Sequence, residues 1–443
     1  MLVAINSGGD YTAGRLLGNI VGARTRKLIL FASIFLNLAI LGFFKYFDFF
    51  AGSLNILLAS VGISFQVHTL NLFLPLAISY YTLQTMSYTI DVSRGKIKPV
   101  EDFVAFFAYI TFFPKLLSGP IERATTCLPQ FLKKREFDYD KAADGLRQIL
   151  WGLFKKMVVA DSCAVPVNAI FAEQGYSNGS TLLLGGVLFA VQIYADFSGY
   201  SDIAIGTARL FGIDLMRNFA NPYFSKNIAE FWQRWHISLS TWLRDYLFLP
   251  MSYSLARKFN RESYLGIRVD RIIGIIATNF TFLICGLWHG ANLTYVVWGM
   301  MHGLMLTPQI FKKKKLKLKT RLNRYSWWHP AFDFIKISTT FLLVVLAWII
   351  FRAENISAAI SYLREIFTWT LFDTPSLLLI KKKVPLGITI LVIVEWLQRN
   401  RQHGMDFSGG NIPQPVRWTA YVLLTVATII FSGSPQKFIY FKF

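Results

Sequence analysis

The sequence predicts an all-α membrane protein that crosses the bilayer several times, and three observations carry that expectation. Of its 443 residues 54% are hydrophobic and only 16% are charged, well below the charged share of an ordinary soluble domain. The apolar residues, 40 Phe and 12 Trp among them, are gathered into blocks. The cations sit between those blocks.

A helix crossing the ~30 Å hydrocarbon layer needs roughly 20 mostly apolar residues. Blocks of that character lie near 28–50, 70–90, 103–118, 181–206, 272–288, 291–308, 334–351, 384–397 and 417–433. Several are short or carry polar residues, so about nine to eleven spans or partial spans are expected. Between them fall Arg24, Arg26 and Lys27; Lys133, Lys134 and Arg135; Lys312 to Lys315; and Lys381 to Lys383. Short basic loops beside spans follow the positive-inside rule. With no nucleic-acid motif in company, the net charge of +21 points to a lipid bilayer and not to nucleic acid. The cysteines, Cys127, Cys163 and Cys285, are too few and scattered for a disulfide framework or a zinc finger. Residues 1–27 form a short polar N-terminal segment without the basic and apolar regions of a cleaved signal peptide. No low-complexity stretch or repeat divides the rest, so residues 1–443 read as one membrane domain.

Two segments between the blocks differ in character. In 143–163, Leu146, Ile149, Leu150, Leu153, Phe154 and Met157 recur at helical spacing, with Arg147, Lys155 and Lys156 on other faces. That describes an amphipathic helix, at the interface or against the bundle. In 227–250, Ile228, Phe231, Trp232, Trp235, Leu239, Trp242, Leu243 and Tyr246 make an aromatic stripe, with His236 at its border. The opposite face carries Gln233, Arg234, Ser238, Thr241, Arg244 and Asp245, and Pro250 is expected to end the helix. So charged a helix should lie at the interface or line an internal cavity.

Six histidines exist, and His68, His329 and His403 read as solvated or interfacial. His289 differs, because two short apolar runs meet at GLWHGAN. Gly286 and Gly290 beside it permit close helix approach or a backbone break. A titratable residue between spans is a functional-site hypothesis by default; the bland alternative is a histidine bonded to a neighbouring helix. Its ordinary pKa near 6.5 suits it to take a proton from an alcohol attacking a thioester. His236 is the leading partner, with Asn292 behind it. Cys285 stands four residues before His289, but one such pair is a weak metal or nucleophile signal. Asp196 and Asp202 in YADFSGYSD could line a proton path, or pair with Arg234 or Arg244, which is preferred. His302, 13 residues after His289, would face away from it on a straight helix, which favours a structural role. No cofactor or metal ligand set is read.

The stretches SGPIER (118–123), YADFSGYSDIAIG (194–206), 221–250, GLWHGANLTYVVWGMMHG (286–303), IIFRAEN (349–355) and the terminal FIYFKF (438–443) resemble the membrane-bound O-acyltransferase superfamily. Within it they look most like the bacterial branch of the alginate O-acetyltransferase membrane subunit. The resemblance runs from about residue 28 to the end. It implies a ring of tilted transmembrane helices, with re-entrant or interfacial helices, around a central tunnel. His289 would be the catalytic histidine and His236 the second polar position, both near the tunnel's middle. Trp288, Trp235, Arg234, Ser240, Asp245, Asp196 and Asn292 are the lining candidates. Relatives carry one or two further spans before the segment matching residue 28, so the chain is expected to be short there.

The resulting expectation is a multi-pass protein of the bacterial inner membrane that passes a short acyl group, acetyl foremost, to a hydroxyl of an exported polysaccharide or cell-envelope glycan. The donor would be acetyl-CoA or another acyl thioester, with none held as a resident cofactor. An acetyltransferase or other glycan-modifying partner outside the membrane would complete transfer, and an acyl-carrier protein is a further possible partner. Two rivals stand beside it. One is D-alanyl transfer to teichoic acids from a carrier-protein thioester. The other is a proton-coupled transporter, against which the lack of an inverted repeat counts. The enzyme reading also requires His236 and His289 to approach within about 15 Å, since both must serve one reacting carbonyl.

Overall fold

The computed structural model describes residues 2–70, 75, 77–172, 177–311, 329–376, 380–407 and 412–439. The Lys312 to Lys315 run, the His329 side chain and residues 440–443 of the terminal motif lie outside them. The first helices are α1 (Leu2–Asn19), α2 (Ala23–Ser60), α3 (Ile78–Ser93), α4 (Phe103–Thr111), α5 (Phe113–Leu116), α6 (Ala124–Cys127) and α7 (Pro129–Leu132). There follow α8 (Tyr139–Leu153), α9 (Asp161–Ala172), α10 (Gly179–Leu210), α11 (Ile228–Arg234), α12 (Ile237–Leu243) and α13 (Leu249–Ala256). A two-stranded hairpin, β1 (Ser263–Tyr264) and β2 (Ile267–Arg268), leads into α14 (Val269–His289) and α15 (Leu293–Phe311). The last helices are α16 (His329–Arg352), α17 (Ile356–Ile366), α18 (Lys383–Leu397) and α19 (Gln414–Ile430). Among the described residues the hairpin is the only sheet.

Four of these helices are long and apolar enough to cross a bilayer: α2, α10, α14 and residues Pro330–Arg352 of α16. The protein is a multi-pass, mostly helical membrane protein. Other apolar blocks take shorter forms. Block 103–118 divides at Phe112, where Pro114 starts the new helix α5. Helix α18 has 15 residues and so covers ~22 Å, less than the hydrocarbon thickness. Along α2, Phe31, Phe35, Leu38 and Phe50 are exposed, as lipid-facing side chains are.

The chain divides into two compact units. In the first, Met1–Ile149 with Tyr200–Met216, α1 packs against α2 and α3 over a core that includes Leu17, Leu41, Tyr88, Phe106 and Tyr109. The polar N-terminal segment is thus largely helix. Its Asp10 is buried and accepts hydrogen bonds from Ser33 (2.5 Å), Asn37 (2.8 Å) and Thr89 (3.1 Å). The polarity that hides α1 in the sequence is turned inward.

The second unit, Leu150–Gly199 with Arg217–Phe443, is built around large aromatic side chains; Trp151, Trp235, Trp298 and Trp348 are fully buried. Its segment 227–250 corrects the expectation of one helix ended by Pro250. The chain breaks at His236, resumes as α12, widens into a π-helical turn at Arg244–Phe248 and continues through Pro250 to Ala256. Leu249 N–H bonds back to Arg244 across the wide turn, and Pro250, having no N–H, follows directly after it in the first turn of α13. Segment 143–163 is likewise interrupted, with a π-helical stretch at Phe154–Ala160 between α8 and α9.

Because of the break at His236 and the charges of Arg244 and Asp245, 228–256 is expected not to cross the bilayer. Single cysteines introduced at Ala229 and Leu249 should react with an impermeant maleimide from one side only. Labelling from opposite sides would show that the segment spans.

Candidate active site

His289 is placed by a helix hairpin that only small residues allow. A Cβ on Gly286 would collide with the Tyr295 carbonyl, one on Gly299 with the Phe282 carbonyl, and one on Gly303 with Asn279. These three glycines let α14 and α15 pack backbone to backbone. Gly290 breaks the chain between them, with the Tyr295 ring where a Cβ would stand. His289 therefore ends α14 inside the protein, 4% exposed. Three rings meet its imidazole edge to face: Trp288 at 5.1 Å, Trp298 at 5.1 Å and Phe351 at 5.2 Å.

His236 is placed by the break between α11 and α12, where it adopts φ 43, ψ 54. Left-handed geometry is uncommon for any residue that carries a Cβ and collects at functional sites. Residues 218–220 lace the break together: Ala220 N–H donates to Arg234 O at 2.9 Å and Ile237 N–H to Asn218 O at 2.9 Å. The Asn218 side chain completes it. Its Oδ1 accepts from Ser238 N–H (3.3 Å), from Ser238 Oγ (2.9 Å) and from His236 Nδ1 (3.1 Å). A backbone N–H can only donate, so the amide presents its oxygen and Nδ1 carries the proton. The acceptor nitrogen of His236 is then Nε2. Complete burial pushes the His236 pKa down to about 3, so the ring is neutral at physiological pH.

Trp288 joins the two histidines. Its ring centroid lies 6.0 Å from that of His236 and 5.1 Å from that of His289. The imidazoles are no farther apart than those two steps end to end, inside the limit of about 15 Å set by a shared reacting carbonyl. His236, Trp288 and His289 are brought together.

The remaining lining candidates are placed otherwise. Trp235 stacks on Phe231 at 5.6 Å and meets Trp348 at 5.1 Å. Ser240 Oγ donates to Trp235 O at 3.1 Å, closing the break from its far side. Asn292 accepts from Thr294 N–H at 3.0 Å and donates to Glu354 O at 2.9 Å, so it caps α15. Arg234 pairs with Glu230 at 2.6 Å and Asp245 with Arg244 at 2.8 Å. Asp196 is paired, as preferred, but its cation is Lys156 at 2.8 Å and neither expected arginine.

Two histidine expectations are corrected. The hairpin removes the straight helix on which His302 would face away: Trp298 touches both His289 (5.1 Å) and His302 (4.9 Å), and His302 Nδ1 accepts from Trp232 at 3.2 Å. His403 is buried, its Nδ1 accepting from Met405 N–H at 3.2 Å, whereas His68 is exposed. Among the described residues no group of three or more His, Cys, Asp or Glu could hold a metal. Sequence reasoning missed Asn218, Trp298 and Phe351. Asn218 offers one signal, a polar residue in RNFANPYF just ahead of the matched stretch. Trp298 and Phe351 stood inside matched stretches, where they read as ordinary apolar residues.

The family model for MBOAT, the membrane-bound O-acyltransferase family, matches residues 100–349, which include both histidines. The chain is 38% identical over 354 residues to a probable alginate O-acetylase of Pseudomonas putida, covering 79% of this chain and 67% of that one. It is 32% identical over 371 residues to a peptidoglycan O-acetyltransferase of Helicobacter pylori, covering 76% and 64%. A teichoic acid D-alanyltransferase of Bacillus subtilis is 28% identical over 289 residues, covering 63% and 67%. The chain spans about two thirds of the length of these curated relatives.

The depressed pKa of His236 sets a pH dependence of stability. In the unfolded chain its imidazole takes up a proton near pH 6.5, while in the folded protein it resists down to about 3. Between those values acid protonates only the unfolded state, so stability falls as pH falls, by at most ~1.4 kcal/mol per pH unit. His236→Asn, which cannot titrate, should lose less stability than wild type in thermal unfolding followed from pH 7 to pH 5. Parallel losses would mean that His236 is not held neutral.

Proposed function

The chain belongs to the membrane-bound O-acyltransferase family, and from that premise we propose that it transfers a short acyl group, acetyl foremost, from a cytoplasmic thioester to a hydroxyl of an exported polysaccharide or cell-envelope glycan. The observation that carries the reading is the pair of buried imidazoles on either side of Trp288, one of them with its tautomer set by Asn218. In the reaction an acceptor hydroxyl oxygen, on the glycan or on a carrier from which the outer-side partner takes the group, attacks the thioester carbonyl carbon, the C–S bond breaks, and the hydroxyl proton leaves with the thiolate. His289 handles that proton and the acyl group. His236, with its lone pair on Nε2, works beside it. A positioned base of this kind contributes on the order of 10²–10⁴-fold. Trp298 and Phe351 keep bulk water from the reacting carbonyl, where hydrolysis would compete.

Two of the relatives described above bear names of acetyl transfer to a glycan and are more identical to this chain than the D-alanyl one. That favours acetyl over D-alanyl and a transferase over a transporter. The donor is acetyl-CoA or another acyl thioester, with a carrier protein as its alternative bearer. The setting is the bacterial inner membrane, with a glycan-modifying partner on the outer side completing delivery.

Replacing His289 by Ala should leave insertion intact and lower acylated-glycan content by on the order of 10²-fold or more, in cells matched for protein level. Acylation within a few-fold of wild type would remove His289 from the chemistry.

A further inference from the structure

Asp196 in YADFSGYSD and the start of the terminal FIYFKF have no part in the chemistry described so far, yet they meet in the second unit. Asp196 is buried on α10, one carboxylate oxygen 2.8 Å from Lys156 Nζ, and that ammonium also meets Asp161 at 2.7 Å. The other Asp196 oxygen accepts the backbone N–H of Ile439 at 2.7 Å, and Lys156 donates to the carbonyl of Gln436 at 3.1 Å. The pair thus grips the C-terminal segment at two points, each through a charge-assisted hydrogen bond. Lys383 Nζ donates to Ser432 O at 2.9 Å and Gly433 N–H to Met157 O at 2.7 Å, which fixes the segment's start.

Between the two grips lies Phe438. Its ring is 6.1 Å from that of Phe197, and Phe197 stands edge-on to His236, 4.8 Å away with the planes at 89°. Phe219, which also packs on Phe197 at 4.9 Å, meets the imidazole at 6.4 Å. Asn218 fixes which nitrogen of His236 is the acceptor. It does so through one atom, about which the ring could still tilt. The rings of Phe197 and Phe219 limit that tilt, and Phe438 backs Phe197.

We propose that the C-terminal segment 432–439 is a positioning element for His236, with Asp196, Lys156 and Phe438 as its positioning residues. The ion pair clamps the segment, the clamp seats Phe438, and Phe438 holds Phe197 against the imidazole. The inference rests on the reading of His236 as part of the acyl-transfer site. An anchor that merely stabilised the unit would lower the melting temperature and loosen every buried histidine alike, with no effect peculiar to His236.

The test uses the full chain carrying Phe438→Ala or Asp196→Asn, with Phe438→Leu as the conservative variant. Two quantities are read: steady-state acyl transfer with acetyl-CoA, and carbethoxylation of each histidine by diethyl pyrocarbonate, followed by mass spectrometry. The exposed His68 serves as internal standard. With the positioning role, kcat falls on the order of ten- to hundredfold while KM stays within about twofold, since a displacement of about 1 Å is enough for such losses. His236 becomes several-fold more reactive relative to His68 while the buried His302 and His403 stay as protected as in wild type, and Phe438→Leu recovers most of the activity. A lowered kcat with His236 as protected as in wild type would overturn the proposal. So would a rise in reactivity at all buried histidines together with a lowered melting temperature, the mark of a plain structural anchor. Raised reactivity of His236 with kcat unchanged would overturn the catalytic reading of His236 while leaving the packing link in place.

Discussion

An L-residue at φ 43, ψ 54 crowds its own Cβ, a strain of order 1–3 kcal/mol, and it survives only where the surroundings over-determine it. At His236 the surroundings are Asn218. One carboxamide oxygen takes the backbone N–H and hydroxyl of Ser238 together with the imidazole N–H, and the Asn218 backbone carbonyl takes the N–H of Ile237. Without that oxygen the break would leave buried donors unpaired, each at a cost of roughly 1–3 kcal/mol, and α11 would gain by running straight on into α12. The site depends on the chain not doing so. A straight helix would carry His236 along the stripe of Trp235 and Leu239, and the approach to Trp288 would be lost.

The second half of the site rests on a constraint of another kind. Helices in lipid gain little from burying apolar surface against each other, so close approach must come from small residues. Gly286, Gly299 and Gly303 supply it, and Gly290 turns the chain. The result is a histidine at the end of a spanning helix, enclosed by Trp288, Trp298 and Phe351. An enclosure so poor in dipoles strengthens each electrostatic interaction within it and makes a bare charge expensive. An imidazole suits such a setting better than a carboxylate, because it can take up and release a proton without holding a charge at rest.

Much of this was legible in the sequence. The helical membrane class followed from the blocks, and His289 from its place between two glycines where two apolar runs meet. The approach of His236 to His289 followed from the enzyme reading and the family resemblance; that Trp288 stands between them did not. What was hidden has physical causes. The stripe from Ile228 to Tyr246 keeps helical spacing across the break, because α11 and α12 each bury an aromatic face; periodicity alone cannot register a single residue of opposite handedness. The π-helical turns before α9 and α13 leave composition unchanged, so Pro250 looked like a stop. Helix α1 was masked because its polar Asn6, Ser7 and Asp10 are buried, Asn6 donating to Thr82 and Asp10 accepting from Ser33, Asn37 and Thr89. Lys156 was read on the polar side of an amphipathic helix, yet from a π-helical stretch it reaches the buried Asp196.

The central claim is that His236 and His289 act as one unit about Trp288, and a double-mutant cycle on acyl transfer tests it most directly. His236→Ala, His289→Ala and the double variant would be compared for acetyl transfer from acetyl-CoA at matched levels of folded protein. Residues that serve a single step are strongly non-additive, so the double variant should be little worse than the worse single variant. Losses that multiply in full would mean that the histidines act independently, and a shared site would be contradicted.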